Sequence, residues 1–440
     1  MSALKLFYED EDGKGKPVMS QRSMESHPVE EATDPAQLEK FNPLSPAVQA
    51  NPYPFYHRYR SNAPIHWGAP VFSNQPGSWY FFRYMDIAQI LRDNKHFGSD
   101  AKRSQIAAPT SEPVKAVTSG AALAFRDEPD HKRLRSLMSK AFTPQVVTAL
   151  IPHIQEISEG LIDQIQAKGS KRFDLIQDFA FPLPITVITE LLGIPTQDRE
   201  EFRAWSHTIM AGIERSPSSE EGLQAKETIQ SLHQYLRAIF NEKRQHPGSD
   251  LVSKLVAIEE QGSKLTEEEL LTNCTFLLIA GHETTVHLIS SGMLALLNHP
   301  DQFQKLREDP TLSENALEEM LRYYSPVQSI SRWVLKDVKI EGKTLRKGQH
   351  VSLMLGAGNR DPEFFEEPDR FDILRQEAPN IAFSIGIHFC MGSPLARTEG
   401  DIAIRTLLRR FPNLQLEPEA VLEWQDSQTV RGLKDLPVTY

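Results

Sequence analysis

From about Asp130 to Pro310 apolar residues return at three- and four-residue intervals, the period of one helix after another. Thr143-Pro144 carries the hydroxyl-then-proline signal of a helix start, and the pattern runs on to about Lys168. Further helices are predicted over roughly Asp174–Leu192, Gln197–Glu214, Glu220–Lys243 and Leu251–Ile258. The next is the best defined. Thr266 is placed as its N-cap, Glu269 completes a capping box, and His299-Pro300 stops it. The 32 residues after the cap rise about 48 Å. They are apolar around most of their circumference, so this helix belongs in the middle of the molecule. Ser313–Tyr324 forms one more, ending before Pro326.

The alternation changes outside that stretch. Ile65–Trp67 and Trp79–Phe82 read as strands and Tyr84–Asp93 as a helix. Short strands are predicted at Ile330–Val334, Val338–Ile340, Lys343–Leu345 and Val351–Leu355. An irregular loop rich in Pro and Asp covers Asn359–Asp372, and a helix from about Met391 to Arg410 precedes a β-like C-terminal stretch. The chain has 440 residues, and length alone allows about three domains. A central helix shared by all its neighbours argues instead for one mainly α domain with a smaller β part, over residues 41–440. Residues 1–40 are polar and charged, without the apolar core of a signal peptide, and are expected to form a mobile tail.

Lys and Arg number 48 against 59 Asp and Glu, a net charge of −11 with no basic tract. That excludes an electrostatic nucleic-acid binder. The two cysteines, Cys274 and Cys390, cannot make a disulfide framework or a four-cysteine metal site, and a reducing, cytoplasmic setting is expected. Leu270–Leu297 is the most apolar segment, but Gly281-His282-Glu283-Thr284-Thr285 interrupts it. A charged Glu at that depth of a bilayer costs a few kcal/mol. A soluble protein is expected.

Two stretches carry chemistry on their own terms. Phe383-Ser384-Ile385-Gly386-Ile387-His388-Phe389-Cys390-Met391-Gly392 places a thiol just before a helix N-terminus, where unpaired N–H groups favour the thiolate. Gly386 and Gly392 allow tight turns and close approach of a flat ligand. Ala280-Gly281-His282-Glu283-Thr284-Thr285 puts a glycine, an acid and two hydroxyls inside a buried helix. Threonines bonded back to the preceding turn are the plainer explanation there. His282-Glu283-Thr284-Thr285-Val286-His287 nearly spells a zinc-protease motif. At i, i+5, however, the two histidines lie about 140° apart around the helix and cannot share a metal.

The pattern F-x-x-G-x-H-x-C-x-G-x-x-L-A-R over Phe383–Arg397 resembles the haem-ligating signature of the cytochromes P450, with Ser384 where that family usually has a second glycine. The resemblance covers about Asn51 to Tyr440, with motifs in family order. It implies a haem b monooxygenase with Cys390 as the thiolate ligand to iron, and Phe383, Gly392 and His388 beside the haem. Glu283 and Thr284 become the acid–alcohol pair that relays protons to dioxygen, in a helix that in this family opens locally, with Ala280 and Gly281 over the distal haem face. His131, Arg135 and Arg332 become partners of the haem propionates, and His388 completes the set. Glu319 and Arg322 resemble the family's structural E-x-x-R, with Arg370 expected as the arginine it locks onto.

The resemblance also implies a hydrophobic substrate, such as a secondary metabolite, fatty acid or terpenoid, to be hydroxylated or epoxidised by a monomeric enzyme. No flavin or iron–sulfur segment is present, so a ferredoxin-type donor with its NAD(P)H reductase is expected. Lys132, Arg133, Lys140, Arg397, Arg405, Arg409 and Arg410 are read as a basic docking patch for it. The substrate pocket is expected along Phe97–Phe125, Trp205–Gly222, Leu277–Thr284, Val327–Ile330 and near Thr429, and Cys274 is expected only to pack. A non-catalytic haem sensor or carrier would need Cys390 but not Glu283 or Thr284, and a peroxide-driven oxygenase commonly lacks that pair.

Overall fold

The structure, a computed structural model, describes residues 38–71, 75–104, 122–195, 198–213, 219–260, 265–376 and 379–440. The expected tail falls on residues outside these, except for its last three. Of those, Leu38 packs against an aromatic cluster and the Glu39 carbonyl accepts the Tyr59 hydroxyl at 2.8 Å.

The long helix runs Glu267–Asn298, opened by the expected capping box: the Glu269 N–H donates to Thr266 Oγ1 (3.2 Å) and the Thr266 N–H to Glu269 Oε2 (3.0 Å). Helices Pro182–Leu192, Leu251–Glu260, Ser313–Tyr323 and Ser393–Arg410 pack around it. Two of the contacts need glycine. A Cβ at Gly292 would lie 2.8 Å from Met320 Sδ, and one at Gly400 2.8 Å from Leu317 and 3.2 Å from Leu288. The helix set Ser313–Tyr323, Ser393–Arg410 and Glu267–Asn298 is thereby drawn together.

The single helix predicted over Asp174–Leu192 is instead three pieces: a strand Arg172–Asp174, a π-turn Ile176–Ala180, and the helix Pro182–Leu192. Pro182 and Pro184 have no N–H to continue an α ladder. The chain takes the wider turn, with the Phe181 N–H donating to the Ile176 carbonyl at 2.8 Å.

The β part is a five-stranded sheet in the spatial order Ile65–Gly68, Ser78–Phe81, His350–Leu353, Ile330–Val334, Phe97–Gly98. Ser78–Phe81 and His350–Leu353 run parallel, and the other pairs are antiparallel. Its apolar face covers a second core of Ile87, Leu91, Phe365 and Ile381. A third, aromatic core joins Phe41, Tyr56, Tyr59, Tyr80 and Phe82.

The irregular loop is held by a buried ion-pair knot. Arg322 Nε and Nη2 meet Glu319 Oε2 and Oε1 at 2.6 and 2.8 Å. The same guanidinium donates to the carbonyls of Asn359, Pro368 and Arg370 at 2.9, 2.7 and 3.1 Å. The arginine that completes the knot is Arg375, not Arg370. Arg375 Nε lies 3.3 Å from Glu319 Oε2, and its Nη atoms hold the carbonyls of Glu366, Glu367 and Arg370. Arg370 points outward, 58% exposed, onto Glu367 and Asp372. Its position in the loop turns its side chain to solvent, and only its carbonyl faces in.

Arg375→Ala leaves a buried carboxylate short of one cation and should cost about 3–5 kcal/mol of stability. Arg370→Ala should cost less than about 1 kcal/mol. Urea unfolding of the two variants side by side checks the assignment.

Candidate active site

The cysteine loop is closed by the Cys390 N–H donating to the Phe383 carbonyl at 3.0 Å. Two residues turn it by taking left-handed backbone, Gly386 at φ 79° and Ser384 at φ 63°. A Cβ at Gly386 would lie 2.6 Å from the Leu91 carbonyl, so only glycine fits. Ser384 adopts the conformation a glycine would take freely, and its Oγ is buried without a partner. The helix Ser393–Arg410 starts three residues past the half-buried thiol. Burial pushes the Cys390 thiol up, while the N–H groups of Gly392 and Ser393 and the Arg135 and Arg397 guanidiniums pull the other way.

Above this loop four basic side chains converge from three elements. His131 and Arg135 lie one turn apart on the helix Asp130–Met138, Arg332 comes from the strand Ile330–Val334, and His388 from the loop. The rings of His131 and His388 stand 4.3 Å apart. Arg135 Nη2 donates to the Phe389 carbonyl at 2.8 Å, and His388 Nε2 meets Ser99 Oγ at 3.1 Å. Burial, then the charges of Arg332, His131 and Arg135, push the His388 imidazole down to about 2. Burial lowers Arg332 to about 10, and burial with Arg135 lowers His131. Both ring nitrogens of His131 and Nη2 of Arg332 are buried without a protein partner. The nearby Asp127 is committed to the Ser99 N–H (2.8 Å) and Arg103 Nη1 (2.9 Å). The one carboxylate beside them, Glu128, stands 3.8 Å from His131 Nδ1 and leaves Arg332 Nη2 and the His131 ring nitrogens without a hydrogen bond, so the group suits a ligand carrying two carboxylates.

The second expected part of the site lies on the central helix. The helix is buried along most of its length, yet Phe276, Leu277, Ala280, Gly281, Glu283 and Thr284 stay accessible. Leu277, Ala280, Gly281 and Thr284 share one face by the i, i+3, i+4, i+7 rule. That face stays accessible while the rest of the helix around it is buried. The local opening that the resemblance implied is not present, because the helix is unbroken α through residues 280–285. Thr284 Oγ1 donates to the Ala280 carbonyl (2.9 Å) and Thr285 Oγ1 to the Gly281 carbonyl (3.2 Å). His282 turns away from His287 to Ser206 Oγ at 3.1 Å, and no cluster of metal-ligating side chains occurs among the described residues. Glu283 Oε1 sits 3.7 Å from His287 Nε2, a neighbour that the failed zinc motif contained but sequence spacing did not link to the acid.

Of the expected pocket segments, Val327 and Ile330 are half-buried and tied to the C-terminal loop, Val327 by a bridge to Val430 and Gln328 through its N–H to the Thr429 carbonyl (2.7 Å). Phe125 packs edge-on against Phe276. Trp205 stacks into a ring cluster with Phe202 and Tyr235. Residues 105–121 and 214–218 of those segments lie outside the described ones. Cys274 is fully buried, its thiol pushed up to about 12 by burial.

The basic patch is largely neutralised within the chain. Arg133 pairs with Glu269 and Asp130, Arg397 with Glu318, Arg405 with Asp401, Arg409 with Glu159, and Arg410 with Glu159 and Asp163. Lys132 and Lys140 remain as exposed cations.

The sequence profile described as Cytochrome P450 matches residues 80–431. The chain is 41% identical to the biotin biosynthesis cytochrome P450 of Bacillus subtilis (strain 168), over 89% of this chain and 96% of that protein. It is 41% identical to the cytochrome P450 monooxygenase PikC of Streptomyces venezuelae, over 89% and 91%. The crystal structure of P450BioI in complex with hexadec-9Z-enoic acid ligated acyl carrier protein superposes with a TM-score of 0.82 at 39% identity, covering 90% of this chain and all of that one. The chain belongs to the cytochrome P450 family, and it is a P450 enzyme whose cofactor is haem b. No helix among the described residues is long and apolar enough to cross a membrane.

Replacing Ser384 by Gly removes the left-handed strain of a residue with a Cβ and an unpartnered hydroxyl. Stability should rise by about 1 kcal/mol, partly offset by a more flexible unfolded chain. Thermal unfolding of the variant measures it, with unchanged haem content expected.

Proposed function

We propose that this enzyme inserts one oxygen atom of dioxygen into an apolar small molecule, by hydroxylation or epoxidation, using two electrons from a separate ferredoxin and its NAD(P)H reductase. The observation that carries this is the accessible face Leu277, Ala280, Gly281 and Thr284, set in an otherwise buried helix. Bound haem supplies the dioxygen-activating iron, with a thiolate that pushes electron density onto it.

The chain's own residues do the rest. Cys390 is the ligand, and the N–H groups of Gly392 and Ser393 steady its negative sulfur. Phe383 and Gly392 shape the loop beside the ring. His131, Arg135, Arg332 and His388 hold the propionates, which answer the unpartnered donors there. Ala280 and Gly281 leave room above the ring, and Leu277, Val327 and Ile330 offer substrate an apolar wall that keeps water out. Thr284 would hold a proton donor in place at Oγ1, in exchange for its bond to the Ala280 carbonyl. Glu283, whose Oε2 has no protein partner, takes up and releases protons behind it. A haem carrier has no use for this acid and alcohol on the cavity side.

By their names one relative serves biotin biosynthesis and another polyketide biosynthesis, and one solved structure holds a hexadec-9Z-enoic acid ligated acyl carrier protein; an apolar wall suits a long acyl or secondary-metabolite skeleton. For the electron donor, Lys132 and Lys140 are the cations left unpaired on the cysteine side, and they favour an acidic partner. Both cysteines are free thiols, as a cytoplasmic monomer would keep them. A screen of acyl and polyketide compounds for the absorption shift of the haem tests the substrate class.

Cys390→Ser should fold but lose the long-wavelength Soret band of the reduced carbon-monoxide complex. A variant that keeps the band removes Cys390 from the role.

Thr284→Ala should keep the haem spectrum and go on consuming reductant, while peroxide replaces product. Glu283→Gln should instead slow reductant consumption, by about a hundredfold if the acid carries the proton supply. Reductant used, peroxide released and product formed, measured together, separate the two roles.

A further inference from the structure

Glu283 and His287 stand one turn apart on the central helix, with Oε1 and Nε2 3.7 Å apart. The His287 ring is 1% exposed, and neither of its nitrogens has a protein partner. The polar side chains beside Glu283 at 282, 284 and 285 are already committed. His282 bonds to the Leu278 carbonyl and Ser206 Oγ, and Thr284 and Thr285 bond to the carbonyls of Ala280 and Gly281.

The C-terminal loop closes over the ring. A Cβ at Gly432 would lie 1.9 Å from the His287 imidazole, so the ring seats directly on bare backbone. The neighbouring cation Arg431 is turned away: it stacks on Trp424 at 3.7 Å and donates to the carbonyls of Gln49 (2.7 Å) and Ala50 (2.9 Å). His287 is thus the one basic group that pairs with Glu283 among the described residues.

We propose that His287 is a positioning residue for Glu283. It donates from its ring N–H to Oε1, directly after a small rotation or through one water, and so fixes which way the carboxylate points. A gap of this size between a buried imidazole and a half-buried carboxylate suits a bridging water, and leaving a buried donor unpaired carries a cost. With Oε1 held, Oε2 is the oxygen left to take up and release a proton on the Thr284 side. The spacing i, i+4 keeps both groups on one face, and Gly432 leaves the ring the space it needs. The inference rests on the reading of Glu283 as proton carrier.

The test uses the haem-loaded enzyme with a surrogate ferredoxin, its reductase and hexadec-9Z-enoic acid as probe. His287→Gln keeps a side-chain N–H, and His287→Leu removes it. His287→Leu should slow reductant consumption per haem about tenfold with the probe's KM unchanged, and His287→Gln should restore most of the rate. In the double variant with Glu283→Gln the loss should be no larger than in Glu283→Gln alone, since both changes break one unit. Independently of turnover, ring nitrogen signals from 15N-histidine in the diamagnetic carbon-monoxide form should show His287 shifting when Glu283 becomes Gln. An unmoved His287 signal overturns the proposal, as does a His287→Leu enzyme as fast as the parent or losses that multiply in the double variant. If Glu283→Gln leaves the rate unchanged while the His287 signal still moves, the pairing stands and the proton-carrier reading of Glu283 fails instead.

Discussion

The Glu319–Arg322–Arg375 knot is the constraint on which the cysteine loop depends. Its members lie almost entirely out of water, where an ion pair recovers its desolvation cost only if nearly every donor and acceptor is used. Here they are. The two guanidiniums reach five different carbonyls of the irregular loop, and Glu319 also accepts the Asp372 N–H at 2.8 Å. A segment with no ladder of its own is thereby fixed as firmly as a strand. Asn359 carries that order onward, accepting the Ile381 N–H at 2.8 Å where the chain enters the loop of Cys390.

The two walls of the site differ in the physics that shapes them. On the cysteine side, basic groups crowd together under burial, and the cost is visible in the depressed His388 and Arg332 and in donors left without partners. An anion bound there would relieve that cost. The central helix side is nearly neutral and apolar, with its hydroxyls turned back onto the helix. Its one acid borders the opening, beside a buried imidazole. A dianionic, flat ligand fits between walls of this kind, and an apolar substrate fits on the helix side of it.

The cations around the cysteine face show how far proximity in sequence can mislead. Arg409 and Arg410 reach across to acids of the helix Pro144–Ala167, so they serve helix packing first. Exposed pairs of this kind contribute little to stability and are screened by salt. Their presence leaves the two lysines, not the arginines, as the unneutralised charge on that side.

Periodicity and caps were enough to place the central helix to the residue, because a capping box and a proline are local chemistry. The same holds for the cysteine motif, whose function lies in consecutive residues, and for the mainly α class that follows from helix after helix. Tertiary structure decided what depends on partners far along the chain. It chose Arg375 over Arg370, since which arginine of a loop turns inward is set by the carboxylate waiting there. It divided Asp174–Leu192, where two prolines could be accommodated only by a π-turn packed on the core. It paired the arginines of the expected patch with acids, most of them on another helix. It also seated His287 on Gly432, a contact between residues 145 positions apart (432 − 287) that no local pattern records. Local sequence specifies backbone form through short-range sterics and hydrogen bonds, whereas the partner of a buried charge is selected only when the chain has closed around it.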